Sequence, residues 1–109
     1  MGQITYNKLV RDNIPKIISD DNAEPIYRTL ENDTEYLQSL LEKFVEEAKE
    51  LLASGGSLDE WADVEEVRQA LKAQQGLDQS TIEAARVKKA NKRGGFSLRV
   101  FLEKVLTRD

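Results

Sequence analysis

Carboxylates interrupt the apolar face of the longest helix pattern in this sequence. Between Leu37 and Leu51 the apolar residues recur every three or four positions, a spacing that lines one face of an α-helix. Glu47 falls on that face, and Glu50 lies one turn further along, at its edge. A helix folded from this stretch therefore has two carboxylates at the border of the protein core.

The next helix pattern repeats this arrangement. Glu60 and Asp63 extend its apolar row toward the N-terminus of the helix. The row itself consists of Val64, Val67, Ala70 and Leu71. Because the turn at 54–57 is short, we expect the helices over 34–53 and 58–75 to pack against each other in antiparallel orientation. Four carboxylates, two from each helix, then border one core.

This carboxylate cluster needs a positive charge nearby. Ionised carboxylates are costly to remove from water, so the cluster requires protonation, pairing with Lys or Arg, or a metal ion. The sequence contains no histidine and no cysteine, and a site made of oxygen ligands alone suits hard cations. We expect Mg²⁺, with Mn²⁺ as the alternative. The predicted metal ligands are Glu47, Glu50, Glu60 and Asp63.

Each acid taken singly also has an ordinary structural interpretation. Glu46 and Glu50 have basic neighbours in the sequence. The stretch from Ser57 to Glu60 is a capping-box pattern, in which the Glu60 side chain reaches back to the Ser57 amide. As a set on two adjacent apolar rows, however, the acids favour a metal site.

The composition is typical of one soluble helical domain spanning residues 1–109. Of these residues, 39% are hydrophobic and 33% are charged, with only two prolines. The net charge of −4 argues against a general nucleic-acid binder, because the phosphate backbone favours a basic surface. The sequence shows neither a signal-peptide pattern nor a long apolar run, so we expect a cytoplasmic location and no membrane association.

The remaining segments predict a helical bundle with few other elements. A short helix is expected to end near Ser19, with Asp12 as its cap, and another is expected to run from 78–80 to Arg93. Residues 26–30 have the β-branched and aromatic content of a strand. Residues 98–102 can pair with them in a small two-stranded β element or form a closing helix. The fold class is therefore mainly α.

Two pairs of basic residues suit an anionic ligand. Lys89 and Arg93 share a helix face next to a Gly-Gly turn, and Lys8 and Arg11 form a second pair. Cations near a helix C-terminus also simply complement the helix dipole, and Lys8 and Arg11 can be ordinary surface charges. Next to an acidic metal site, the four cations favour binding of triphosphate oxygens.

Trp61 suggests that the protein self-associates. It lies on the side of its helix that carries Glu65, Arg68 and Lys72, away from the apolar row. A tryptophan in such a place is typical of an interface anchor, although it can also cover the edge of a core. We expect a homodimer or a higher homo-oligomer.

Three blocks of the sequence stand out together. They are Tyr6-Asn7-Lys8-Leu9-Val10-Arg11-Asp12-Asn13-Ile14-Pro15, the pair Glu46-Glu47-x-x-Glu50 and Glu60-x-x-Asp63, and Lys89-x-x-x-Arg93-Gly94-Gly95-Phe96. In this order they resemble a known family, the phosphoribosyl-ATP pyrophosphohydrolase-like branch of the all-α (MazG-like) nucleoside triphosphate pyrophosphohydrolases. The resemblance covers nearly the whole chain.

The resemblance implies a helical bundle that dimerises and splits a nucleoside triphosphate into a monophosphate and pyrophosphate with Mg²⁺. It implies Glu47, Glu50, Glu60 and Asp63 as the metal ligands. It also implies catalytic roles for Glu46, as the acid that orients water, and for Glu47. The cations that we expect to bind the nucleotide are Lys8, Arg11, Lys89 and Arg93.

Two other classes of function stay open from the sequence. A catalytically silent helical oligomerisation module keeps the bundle but needs no metal. A nucleic-acid-binding helical domain can instead use the basic residues Lys88, Lys89, Lys92 and Arg93.

Overall fold

Helices account for all the regular secondary structure that a computed structural model of the chain describes, over residues 2–108. No strand occurs within this range, so the prediction of a mainly α fold is confirmed. The helices are α1 (Ile14–Asp20), α2 (Asp33–Ala53), α3 (Leu58–Gln75) and α4 (Gln79–Arg93).

Side-chain caps fix where the three longer helices begin. Asn32, Ser57 and Asp78 each accept a hydrogen bond from the backbone N–H three residues further on, at 3.0, 3.3 and 2.8 Å. At the other end of α3, Gly76 adopts φ +64°, a left-handed conformation that glycine reaches without strain. At α1 the prediction was wrong by one residue, because Asn13 rather than Asp12 occupies the cap position.

The core lies between α2 and α3. Leu40 of α2 and Val67 and Leu71 of α3 are its most deeply packed members. Partly buried side chains pack around them, namely Leu9, Tyr36, Leu37, Phe44 and Ala70. At one end of the helix pair, Gln74 near the end of α3 donates a 3.4 Å hydrogen bond to Asp33 at the start of α2. The two helices therefore run antiparallel, as the short turn between them predicts.

The chain divides into two compact units. The first ends at Gly76 and contains α1, α2 and α3 with the core, and the second begins at Leu77 and contains α4. Within residues 2–108, no helix combines the length and the apolar composition that a membrane crossing requires.

The small β element that the sequence suggested is not confirmed. Residues 26–30 and 98–102 have no strand in the structure. The N–H of Arg99 instead donates a 3.1 Å hydrogen bond to the carbonyl of Phe96, and Arg99 adopts φ +60°. This closes a turn over residues 96–99, which overlaps the start of the second segment. β-branched and aromatic residues favour strands because they pack well on a sheet surface. Their presence alone is therefore a weak strand signal.

Candidate metal centre

Four carboxylates converge where α2 and α3 pack together. Glu47 and Glu50 are one turn apart on α2, and Glu60 and Asp63 are one turn apart on α3. One oxygen from each side chain can be chosen so that all four lie within 4.8 Å of one another. The structure thus brings together all four predicted metal ligands.

The spacing of these oxygens is close to what a small divalent ion needs. Two oxygens on opposite sides of an octahedral Mg²⁺ lie about 4.2 Å apart, twice a bond of about 2.1 Å. The 4.8 Å limit on the separations in the cluster is therefore close to the span of a single Mg²⁺ site. Mn²⁺ accepts the same oxygen ligands.

Glu47 is the member of the cluster that most needs a cation. It is 6% exposed and is the one charged side chain that is buried among the described residues. Its Oε1 lies 3.3 Å from Nζ of Lys43, whereas its Oε2 is buried and accepts no hydrogen bond. A buried carboxylate oxygen without a partner is costly. A metal ion or a proton at Oε2 removes that cost.

Glu60 presents a second buried oxygen without a partner. Its Oε2 accepts no hydrogen bond. The capping-box interpretation predicts that this side chain binds the Ser57 amide, but that N–H donates to Oγ of Ser54 at 3.1 Å. The Glu60 carboxylate is thus not used for capping and remains at the cluster.

Burial and mutual repulsion raise the pKa of two members of the cluster. Burial is the main cause of the raised pKa of Glu47, and proximity to Glu50 adds to it, while Lys43 opposes it. Loss of hydration also raises the pKa of Glu60, and the negative charge of Asp63 contributes. Because of these raised pKa values, both carboxyl groups bind a proton more readily in the folded protein than an ordinary glutamate does.

Glu46 lies beside the cluster in a different electrostatic environment. It is not one of the four converging acids. Its Oε1 accepts a 2.7 Å hydrogen bond from Nζ of Lys8, and Nζ of Lys43 lies 3.6 Å away. The hydrogen bond from Lys8 is the main reason that the pKa of Glu46 is lowered. In this conformation Glu46 is ionised and paired.

The predicted cations fall into two groups. Lys8 and Arg11 contact acids of α2 and α3, since Nη2 of Arg11 donates a 2.7 Å hydrogen bond to Oδ1 of Asp63. Lys89 and Arg93 belong to α4 in the second unit. There they line an open pocket of about 240 Å³ together with Ala85, Lys88 and Lys92.

The contacts of Lys43 and Arg11 were missed in the sequence analysis. Lys43 lies four residues before Glu47, a spacing that favours ion pairs on a helix, so this contact could have been predicted. The pairing of Arg11 with Asp63 joins residues 52 positions apart and has no periodic signal.

Comparisons with known proteins add no family assignment. Searches against family models, curated proteins and solved structures found no match to this chain.

Proposed function

We propose that this protein is a Mg²⁺-dependent nucleoside triphosphate pyrophosphohydrolase with a bundle of the all-α MazG-like type. The observation that carries the proposal is the buried, unpartnered Oε2 of Glu47 within a group of four converging carboxylates. An exposed acidic face has no such atom. The resemblance of three sequence blocks to that family supplies the reaction.

The cluster supplies the ligands for the metal. Glu47, Glu50, Glu60 and Asp63 offer oxygen donors alone, which suits Mg²⁺ or Mn²⁺. A bound ion would neutralise negative charge on the phosphate oxygens and would lower the pKa of a water molecule.

The residues of the chain have separate roles in the proposed reaction. Glu46 and Glu47 orient the attacking water and take its proton. The water oxygen forms a bond to a phosphorus of the triphosphate, and the bond from that phosphorus to the bridging oxygen breaks, giving monophosphate and pyrophosphate. Lys8 and Arg11 neutralise charge that develops on the leaving oxygens. No covalent intermediate is needed.

A homodimer is part of the proposal. The ring of Trp61 is outside the intramolecular core, and 55% of this residue is exposed. Leu58, on the same helix, is 85% exposed. Large exposed apolar side chains on one helix favour an interface with a second copy.

A pyrophosphate-release screen across nucleoside triphosphates tests the enzymatic proposal. We expect release from at least one nucleotide with Mg²⁺ and none with EDTA. Asp63→Asn should abolish release, whereas Asp59→Asn, at an exposed acid one turn earlier on α3, should retain it. Equal rates for the two variants would show that the cluster does not perform the reaction. A protein that binds no Mg²⁺ and releases no pyrophosphate favours the silent oligomerisation module, which needs no metal.

A further inference from the structure

The N-terminal segment from Lys8 to Arg11 joins both helices beside the carboxylate cluster. Leu9 packs against the core between α2 and α3. On one side Lys8 binds Glu46 of α2, and on the other side Arg11 binds Asp63 of α3, each at 2.7 Å. The segment is therefore held by an apolar anchor and two ion pairs.

The two ion pairs differ in what they do to the cluster. The partner of Lys8, Glu46, is not one of the four converging acids, whereas the partner of Arg11, Asp63, is. A guanidinium on Asp63 already supplies part of the positive charge that the cluster needs. A divalent ion bound to the same carboxylate repels that guanidinium at a separation of a few ångströms.

We propose that Arg11 and the metal ion compete for Asp63, so that Arg11 holds this carboxylate before metal binds and leaves it when metal binds. The proposal rests on the proposed function, because it needs the cluster to bind a divalent ion. The Arg11 side chain is 53% exposed, so it can turn into water. Its partner is one-third exposed, and ion pairs of this kind are weak enough to exchange.

The exchange links metal binding to nucleotide binding. Arg11 released from Asp63 stays tethered beside the cluster by Leu9, which packs against the core between the two helices. A free guanidinium there can bind phosphate oxygens with two parallel hydrogen bonds. The metal thus prepares a cation for the triphosphate as well as neutralising the acids.

Mn²⁺ affinity, measured from the electron paramagnetic resonance signal of unbound Mn²⁺, tests the competition. Removing the competitor with Arg11→Met should tighten Mn²⁺ binding roughly two- to five-fold, the range expected for losing one exposed ion pair. Lys8→Met removes a nearby charge without freeing a ligand, so its effect should be clearly smaller. Arg28→Met removes an arginine that pairs with Glu35 in the same unit and should leave the affinity unchanged.

The outcomes separate this proposal from the proposed function. No Mn²⁺ binding by the wild-type protein overturns both. Binding that is no tighter in Arg11→Met than in Lys8→Met overturns the competition alone. Because a variant can misfold, the Arg11 side-chain ¹⁵N resonance of the wild-type protein provides a second measurement. It should move toward the position of a free arginine as Mg²⁺ is added, and a resonance that stays in place while Asp63 responds overturns the competition.

Discussion

Nζ of Lys43 lies 3.3 Å from Oε1 of Glu47, one turn further along α2. The side chains are 15% and 8% exposed, so both are largely removed from water. Lys43 therefore compensates one oxygen of the buried carboxylate, and the other oxygen is left for a metal ion or a proton.

Lys43→Met should destabilise the metal-free protein by about 1–3 kcal/mol, because it leaves Glu47 buried without its cation. Denaturant unfolding at neutral pH with EDTA measures the change. Lys49→Met, at an exposed position of the same helix, is the control and should change stability by less than about 0.5 kcal/mol. Combining Lys43→Met with Glu47→Gln should recover most of the loss. A double variant as unstable as Lys43→Met would contradict this account.

Mg²⁺ should stabilise the folded protein through the four carboxylates. At a concentration 100 times its Kd, a ligand that binds only the folded state adds about 2.7 kcal/mol to the free energy of unfolding. The melting temperature should rise accordingly in the wild-type protein and in Asp59→Asn. Glu47→Gln should lose this response and, without metal, should be as stable as the wild-type protein or slightly more so, since one buried charge is gone. Equal Mg²⁺ responses in the wild-type protein and Glu47→Gln count against a metal site.

The helix pair could be predicted because the sequence signals that determine it act over short distances along the chain. The apolar spacing, the cap at Ser57 and Gly76 at the end of α3 each act within a few residues. The convergence of Glu47 with Asp63 followed from the same spacing, together with the short turn between the helices. Helix periodicity thus predicted both the core and the acidic cluster.

The contacts of the N-terminal segment could not be predicted in this way. Lys8 and Arg11 reach acids 38 and 52 positions away, and exposed long side chains follow no periodic pattern. From the sequence, Lys8 and Arg11 were either cations for a triphosphate or ordinary surface charges, and neither interpretation predicts their pairing with Glu46 and Asp63. For residues 98–102 the sequence left a strand or a closing helix open, and the structure has neither. Side-chain composition does not determine whether such a segment finds a strand to pair with.

The pH dependence of stability should have opposite signs at two adjacent residues. The pKa of Glu47 is raised by burial, so the folded metal-free protein binds a proton more tightly than the unfolded chain does. The contribution of Glu47 to the free energy of unfolding is fully present below the ordinary glutamate pKa and is lost as pH rises through the raised pKa. The pKa of Glu46 is lowered by Lys8, so its contribution is present above the ordinary pKa and is lost as pH falls through the lowered one.

Unfolding free energies of three proteins measured in EDTA from pH 3 to pH 7 check these signs. The unfolding free energy of the wild-type protein minus that of Glu47→Gln should fall with rising pH. The unfolding free energy of the wild-type protein minus that of Glu46→Gln should rise with pH. Two differences of the same slope would contradict the burial and pairing seen at Glu47 and Glu46.

Trp61→Glu should convert the proposed dimer into a monomer. The residue is 55% exposed, and a buried charge at an interface centre costs several kcal/mol, enough to weaken a micromolar dimer beyond detection. Sedimentation at tens of micromolar measures the change, and circular dichroism confirms that the helices remain. Arg28→Glu, a larger change of charge at an exposed site, should leave the dimer intact. A wild-type protein that sediments as a monomer removes the basis for this prediction.

The basic residues of α4 distinguish nucleotide binding from nucleic-acid binding. Lys89 and Arg93 lie one turn apart and line one open pocket with Lys88 and Lys92. If they bind the triphosphate, Lys89→Met combined with Arg93→Met should raise KM roughly ten-fold or more, since a hydrogen bond to a charged group contributes about 1.5–3 kcal/mol. The change in kcat should be smaller, because these cations bind substrate rather than take part in proton transfer.

Lys104→Met is the matched control, because Lys104 is an exposed lysine of the same unit that does not line this pocket. It should leave KM unchanged. If α4 instead binds nucleic acid, the double variant should weaken oligonucleotide binding. It should also make the plot of log binding constant against log salt concentration less steep by the equivalent of about two phosphate contacts, since each contact releases about 0.7–0.9 of a counterion. KM for the nucleotide would then stay at its wild-type value. Steady-state kinetics and an oligonucleotide titration at two salt concentrations, on the same three proteins, therefore decide which anion the basic face of α4 binds.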